Sequence, residues 1–222
     1  MANVRRGALA GYDHQEVVNI SFELMCRVEL WDYPVLFWLE RLLSSGTCLV
    51  DAGGHMGTKY RAFRKHLKLD EQAVDWIIYD VPNIVKAGRE RARLDELPRL
   101  SFLDDISTAP PADILLASGL LQYLDVPFPE LLAKMAVLPR HLILNKVATR
   151  AGATIVTLEN FGTAEVPYHI RNGVEFVESV KKLGYVVVDE WTIPSLSHTI
   201  GTHPKLGSST SRGFYLTLQA SE

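Results

Sequence analysis

Two periodicities alternate along this chain. Short apolar runs give way to segments whose apolar residues recur every three or four positions, and the alternation holds over the first two-thirds of the sequence. Residues 13–45 read as helical. From Pro34, the apolar positions Val35, Leu36, Leu39, Leu42 and Leu43 keep helical spacing until Ser44-Ser45-Gly46 ends the pattern. Thr47 to Val50 is then a short apolar run, followed by Asp51-Ala52-Gly53-Gly54-His55-Met56-Gly57. Behind that turn, Met56, Tyr60, Phe63 and Leu67 lie on one face of a helix. Asp75 to Asp80 predicts a second strand, and Pro82 opens a helix running roughly to Arg93. Leu100–Leu103, Asp113–Ser118 and His141–Lys146 predict three more strands, and Pro129 opens a helix that carries Leu131, Leu132 and Met135. Asn172 with Glu175 three residues on resembles a capping box. The helix behind it buries Val174, Phe176, Val177 and Val180 and stops at Gly184. Tyr185–Trp191 and Gly213–Gln219 predict two final strands. Strands that alternate with helices in this way form a mostly parallel sheet. Two connections are long, Val147–Arg171 and Thr192–Arg212. Loops of that length are usually functional or disordered.

Composition narrows the class rather than the function. With 47% hydrophobic and 22% charged residues, the chain is an ordinary globular one, not a coiled coil, a collagen or a disordered tail. Residues 1–222 read as one domain: a helical segment 1–45, a ligand-binding half 46–146 and a second half 147–222. Twenty-three basic residues against 26 acidic ones leave a net charge of −3. That is not the basic excess a nucleic-acid backbone requires. Cys26 and Cys48 make neither a zinc site nor a disulfide scaffold. No apolar segment follows Arg5 and Arg6, and the most apolar stretch, Tyr33–Leu43, is too short to span a bilayer. A cytoplasmic protein with no membrane or nucleic-acid partner is the expectation.

The chemistry-bearing motif is the glycine turn. Glycines after a buried strand let the backbone approach a ligand, and the next helix start adds favourable polarity. In a doubly wound sheet this turn lies at the carboxyl edge where ligands bind. A tight strand-to-helix turn without a ligand would have the same sequence. Asp80, 23 residues past Gly57, ends the second strand, where an acid accepts hydrogen bonds from both ribose hydroxyls. The same acid suits the start of the helix at Pro82. The turn is not G-x-G-x-x-G, and its acid, Asp51, precedes the glycines. An acid there can receive a cationic amino group, which points to S-adenosylmethionine rather than NAD. Asp104 and Asp105, after the third strand, can meet an adenine amino group or simply face water.

VDAGGHMG, Asp80, FLDD and DILLASGLLQYL together resemble a class I S-adenosylmethionine-dependent methyltransferase. More narrowly, GGHMGTKY (53–60), WIIYDVPNIVKAG (76–88), LSFLDDIS (100–107), SGLLQYLDVP (118–127), PYHI (167–170) and LGYVVVDEW (183–191) resemble a bacterial methyltransferase family of the LIC12133 type. The resemblance implies a Rossmann-like α/β fold with helices on both faces. Its sheet has seven strands in the order 3-2-1-4-5-7-6, the last one antiparallel. It implies S-adenosylmethionine as cofactor, held at its methionine end by Asp51, Gly53, Gly54, His55, Gly57 and Tyr60. Asp80 and Val81 would take the ribose, Asp104 or Asp105 the adenine side, and Ser118 and Gly119 the floor. This chain has Asp where a longer Glu is usual at the end of strand two. Strand four lacks the Asn-Pro-Pro-Tyr of many nucleic-acid amino-methyltransferases. The implied reaction is therefore O- or N-methylation of a small polar metabolite such as a sugar, an amino acid or a biosynthetic intermediate. The rivals are a nicotinamide-dependent oxidoreductase and a non-catalytic partner that kept the fold.

On the acceptor side the candidates are His169, Tyr168, Gln122 and Tyr123. Histidine comes first because its ordinary pKa of about 6.5 suits a base. His66 and His141 read as surface and strand residues, and Tyr12 as a possible cap over the site. His198, His203, Lys205 and Arg212 make the loop 192–212 cationic, with no Asp or Glu. That suits an anionic substrate group. No HExxH or dense Asp/His spacing supports a metal. A homodimer through the N-terminal helices is compatible with the sequence.

Overall fold

The computed structural model describes residues 22–160, 165–201 and 203–219. Helix α1 is Phe22–Met25 and α2 is Tyr33–Leu42, so the predicted 13–45 helix is interrupted. The reason lies in the stretch between them: a 3-10 turn at Leu30–Asp32, in which the Glu29 N–H donates to Asp32 Oδ2 at 3.0 Å. The first part of that predicted helix, and Tyr12, lie outside the described residues.

Among the described residues nine strands follow: β1 Cys48–Ala52, β2 Asp75–Tyr79, β3 Leu100–Leu103, β4 Ile114–Ser118, β5 His141–Arg150, β6 Ile155–Asn160, β7 Glu165–Asn172, β8 Tyr185–Ile193 and β9 Thr210–Leu218. Between them run α3 Thr58–Phe63, α4 Pro82–Leu94, α5 Phe128–Leu132 and α6 Gly173–Lys181. The first five strands pair in parallel in the order β3-β2-β1-β4-β5. β9 then runs antiparallel beside β5, with β8 antiparallel outside β9. The two strands predicted last in sequence thus take the expected inverted places at the edge.

The count of seven needs correction. β6 and β7 form an additional antiparallel hairpin inside what the sequence presents as a long connection. β5 runs four residues past Lys146, and only its end meets the hairpin, through Thr149–Arg171 and Arg150–Asn172. The extension passes a bulge between Leu144 and Val147. At the other end of the hairpin, the capping box is half realised. Asn172 Oδ1 accepts from the N–H groups of Val174 and Glu175, but the Asn172 N–H goes to Thr154 Oγ1 rather than back to Glu175.

Strand alternation divides the core into two layers. Leu49, Trp76, Ile78, Leu116 and Ile143 face α2, α3 and α4. Val50, Ile77, Leu115, Leu142 and Phe214 face α5 and α6. Near-continuous apolar strands are what a sheet covered on both sides requires. Asp51 near the end of β1 and Asn145 at the bulge in β5 break this run of apolar residues on the first face. The hydrophobic core thus packs up to the carboxyl edge, where these polar residues begin.

Candidate functional site

The glycine turn is built as the spacing predicts. Gly53 has φ +73° and a Cβ there would lie 2.9 Å from Leu120 Cβ. At Gly54 a Cβ would lie 2.7 Å from the Asp51 carboxyl. Side chains at these two positions would push the turn off the end of β4 and off β1. His55, next in the turn, is buried and also left-handed at φ +54°. Its N–H donates to Asp80 Oδ2 at 2.8 Å, while the Val81 N–H donates to Oδ1 at 2.8 Å. Asp80 therefore ties the turn after β1 to the end of β2. It does not cap α4, whose N-cap position is Val81.

Two cavities meet at Gly53. One, of about 230 Å³, is lined by Tyr79, Asp80, Val81, Asp104, Gly119 and Leu120, among others. The other, of about 220 Å³, is lined by Asp51, Gly54, Lys59, Ser118 and Lys146, with Glu29 and Arg27 among the remainder. Asp104 and Asp105 are separated by their roles. Asp104 faces the first cavity, whereas Asp105 Oδ1 accepts from the Ser107 N–H and hydroxyl and stays below the usual carboxylate range for that reason. Tyr60 packs edge-on against Trp76 in the core, and Gly57 packs over Leu100. Both support the turn from behind.

The second cavity is densely ionisable. Burial pushes the Asp51 carboxyl up to about 7, against the hydrogen bond from Trp76 Nε1 at 3.1 Å and the pull of Lys59. Lys59 is itself paired with the fully buried Asp32 at 2.7 Å. Burial, reinforced by Lys59, brings the Lys146 ammonium down to about 8. Lys146 sits in the β5 bulge at φ +57°, the left-handed region that non-glycine residues rarely occupy. Its Nζ would be 3.1 Å from a Cβ at Gly119. Backbone strain of this kind collects at functional sites. Asn145 beside it, buried, donates to the Trp31 carbonyl and to Ser118, and accepts from Trp191 Nε1. Lys59, Lys146, Asp32 and Asn145 are not picked out by sequence pattern. The apolar run of β5 hides the bulge, and nothing local links residue 32 to residue 59.

The acceptor-side candidates separate into two groups. Gln122 is buried just behind Gly119, and its Oε1 has no hydrogen-bond partner. Tyr123 reaches the first cavity and donates to Glu159 Oε2 on β6 at 2.6 Å, with its ring edge-on to Tyr168. Burial and Glu159 push the Tyr168 phenol up to about 12. Tyr168 also lies against His198, so the hairpin joins the 194–209 excursion. His169, one residue on, points to the opposite face of β7, into a groove between α6 and Pro127–Pro129. Period-two alternation makes this unavoidable. The structure therefore brings Tyr123 and Tyr168 together, leaves Gln122 buried behind Gly119, and sets His169 apart from them. His66 is exposed, and His141 Nδ1 bonds the Tyr215 hydroxyl at 3.0 Å. Arg212 pairs with Glu190 on β8, which removes it from any anion patch in the excursion. Among the described residues no His, Cys, Asp and Glu cluster could hold a metal, and no helix is long and apolar enough to cross a membrane.

No family model matches the chain, and no curated protein matches it. Solved structures do. A methyltransferase from Methanosarcina mazei, described as S-adenosylmethionine-dependent, is 13% identical with a TM-score of 0.58, over 85% of this chain and 99% of that one. The glycopeptide N-methyltransferase MtfA, solved with S-adenosylmethionine, is 12% identical with a TM-score of 0.57, over 85% and 94%. The Burkholderia thailandensis 1,6-didemethyltoxoflavin N1-methyltransferase, solved with S-adenosylhomocysteine, is 17% identical with a TM-score of 0.54, over 86% and 80%. The chain thus has the fold of the class I S-adenosylmethionine-dependent methyltransferases.

Proposed function

We propose that the protein is an S-adenosylmethionine-dependent methyltransferase of a small polar metabolite, built as one domain. Residues 46–146 bind the cofactor, and 147–222 close over the acceptor. The observation that carries this reading is the pair of cavities meeting at Gly53. One is lined by carboxylates and apolar groups and suits an adenosine. The other is lined by ionisable groups and suits an amino acid. The residues present fit: Asp80 lines the first cavity beside Tyr79 and Val81, and the turn passes so close to Leu120 and Asp51 that only glycine fits at positions 53 and 54. Asp80 would take the ribose, Asp104 the adenine side and Asp51 the amino group. When bound, the cofactor supplies an electrophilic methyl group on a sulfonium. The chain supplies orientation and electrostatics. Gln122, Tyr123 and Tyr168 are the residues best placed to align an acceptor. The LIC12133-type resemblance, a cytoplasmic setting and a role in biosynthesis belong to the same proposal.

The test is calorimetric titration with S-adenosylhomocysteine, with NAD as control. Micromolar binding of the first and none of the second is expected. Binding of NAD alone would replace this reading with the oxidoreductase. A second expectation follows from Asp51. A carboxyl raised to about 7 is neutral below that pH and holds no ammonium. S-adenosylhomocysteine affinity should rise as pH rises through about 7, and Asp51→Asn should flatten that rise. A flat profile in the wild type would remove Asp51 from the amino-group role.

A further inference from the structure

The groove on the His169 side of β7 contains a cation that no described residue neutralises. Arg171 is 9% exposed, and its Nη1 is buried without a hydrogen-bond partner. Among the described residues no carboxylate oxygen lies within the 4.0 Å of an ion pair. Burial alone pulls its pKa down, to about 10. A guanidinium carries five donors and stays charged. A buried, uncompensated one costs several kcal/mol in other proteins, so folded chains keep such groups where a ligand completes them.

The surroundings say which ligand. The groove is about 410 Å³ and opens between Pro127–Pro129 and the first turns of α6. His169 and Arg171 stand two residues apart on β7 and face it together. The positive end of the α6 dipole points the same way, although Asn172 already holds the N–H groups of Val174 and Glu175. Thr154 Oγ1 lies in the groove and accepts from the Asn172 N–H, which leaves its hydroxyl proton to donate. The acids on the lining, Asp125 and Glu175, are exposed and therefore solvated. We propose that this groove is an oxyanion site, in which Arg171 pairs with a phosphate or carboxylate group of a small molecule. It adjoins the first cavity through Leu124, which lines both, but its chemistry stands independently of methyl transfer.

Inorganic phosphate is the probe, acetate the carboxylate arm, and chloride at equal ionic strength the control. Calorimetry on the full chain should show saturable phosphate binding that weakens about tenfold or more in Arg171→Met. Arg171→Lys keeps the charge but not the planar fork, and should retain only part of the affinity. In chloride alone, Arg171→Met should melt at or above the wild type, because an unpaired buried charge has been removed. A stronger response to phosphate than to acetate assigns a phosphoryl ligand, and the reverse a carboxylate. Equal binding by wild type and Arg171→Met, or no binding of either anion by the wild type, overturns the proposal. If Arg171→Met does not fold, the wild-type titration and the lysine variant decide the question.

Discussion

Replacing Asp80 with alanine should weaken S-adenosylhomocysteine binding by about a hundredfold, given about 1.5–3 kcal/mol for each hydrogen bond to a charged group. Two losses add. The carboxylate proposed to receive the ribose disappears. The His55 and Val81 N–H groups, each now bonded to it at 2.8 Å, lose their acceptor, the first at a buried and the second at a part-buried position. The turn is left-handed at Gly53, His55 and Gly57 and would keep the bond from the Gly53 N–H to the Tyr79 carbonyl at 2.8 Å, so it should loosen only in part. Asp80→Asn separates the two effects. Its amide oxygen can still hold one backbone N–H, but it is neutral and presents two donors to the cavity. If the carboxylate itself binds ribose, Asn should lose most of the affinity while melting closer to the wild type than Ala does. Affinity within threefold of wild type for both variants would place the nucleoside elsewhere.

How much of this was legible depends on whether the physics was local. The β1 turn could be read because one buried strand, three glycines and one helical face are consecutive in sequence. The runs Tyr185–Trp191 and Gly213–Gln219 marked two final strands, but their inverted places in the sheet came only from the family resemblance. The β6–β7 hairpin could not be read. Ile155, Thr157 and Glu159 alternate with the exposed Val156 and Leu158, so the segment lacks the polar-out pattern that marks a strand. Its function is also tertiary: Glu159 receives the Tyr123 hydroxyl from 36 residues away. The adjacent pairs were only half resolvable. Sequence could name Asp104 and Asp105, or Tyr168 and His169, but which member faces the site depends on a turn and on strand register. Lys146 carries no sequence signal at all, because a left-handed lysine in a bulge spells the same as one in a regular strand.

That residue gives the last prediction. Lys146 lines the cavity of Asp51 and Ser118, and its ammonium lies against Gly119, which lines the other cavity. A cofactor spanning both would place its sulfonium near this junction, as a like charge. Two unit charges about 5 Å apart at an effective dielectric of about 20 repel by roughly 3 kcal/mol, and screening by Asp51, Glu29 and Asp32 reduces this. A preference of about tenfold for S-adenosylhomocysteine over S-adenosylmethionine should survive that screening. The thioether is neutral and feels no repulsion, so the penalty falls on the reactant and disappears as the methyl group leaves, which favours transfer. The sign with pH follows. Below about 8 the ammonium is charged and the preference is full. Above it the proton is lost and the two affinities converge. Lys146→Met should abolish the preference and its pH dependence, leaving whatever Asp51 and Lys59 contribute, and Lys146→Arg should keep the preference across the whole range. Calorimetry with both ligands at pH 6.5 and 9.5 reads all of this without knowing the acceptor. Equal ratios in wild type and Lys146→Met would detach Lys146 from the sulfonium while leaving cofactor binding intact. Its strained backbone would then have to be explained by the acceptor alone.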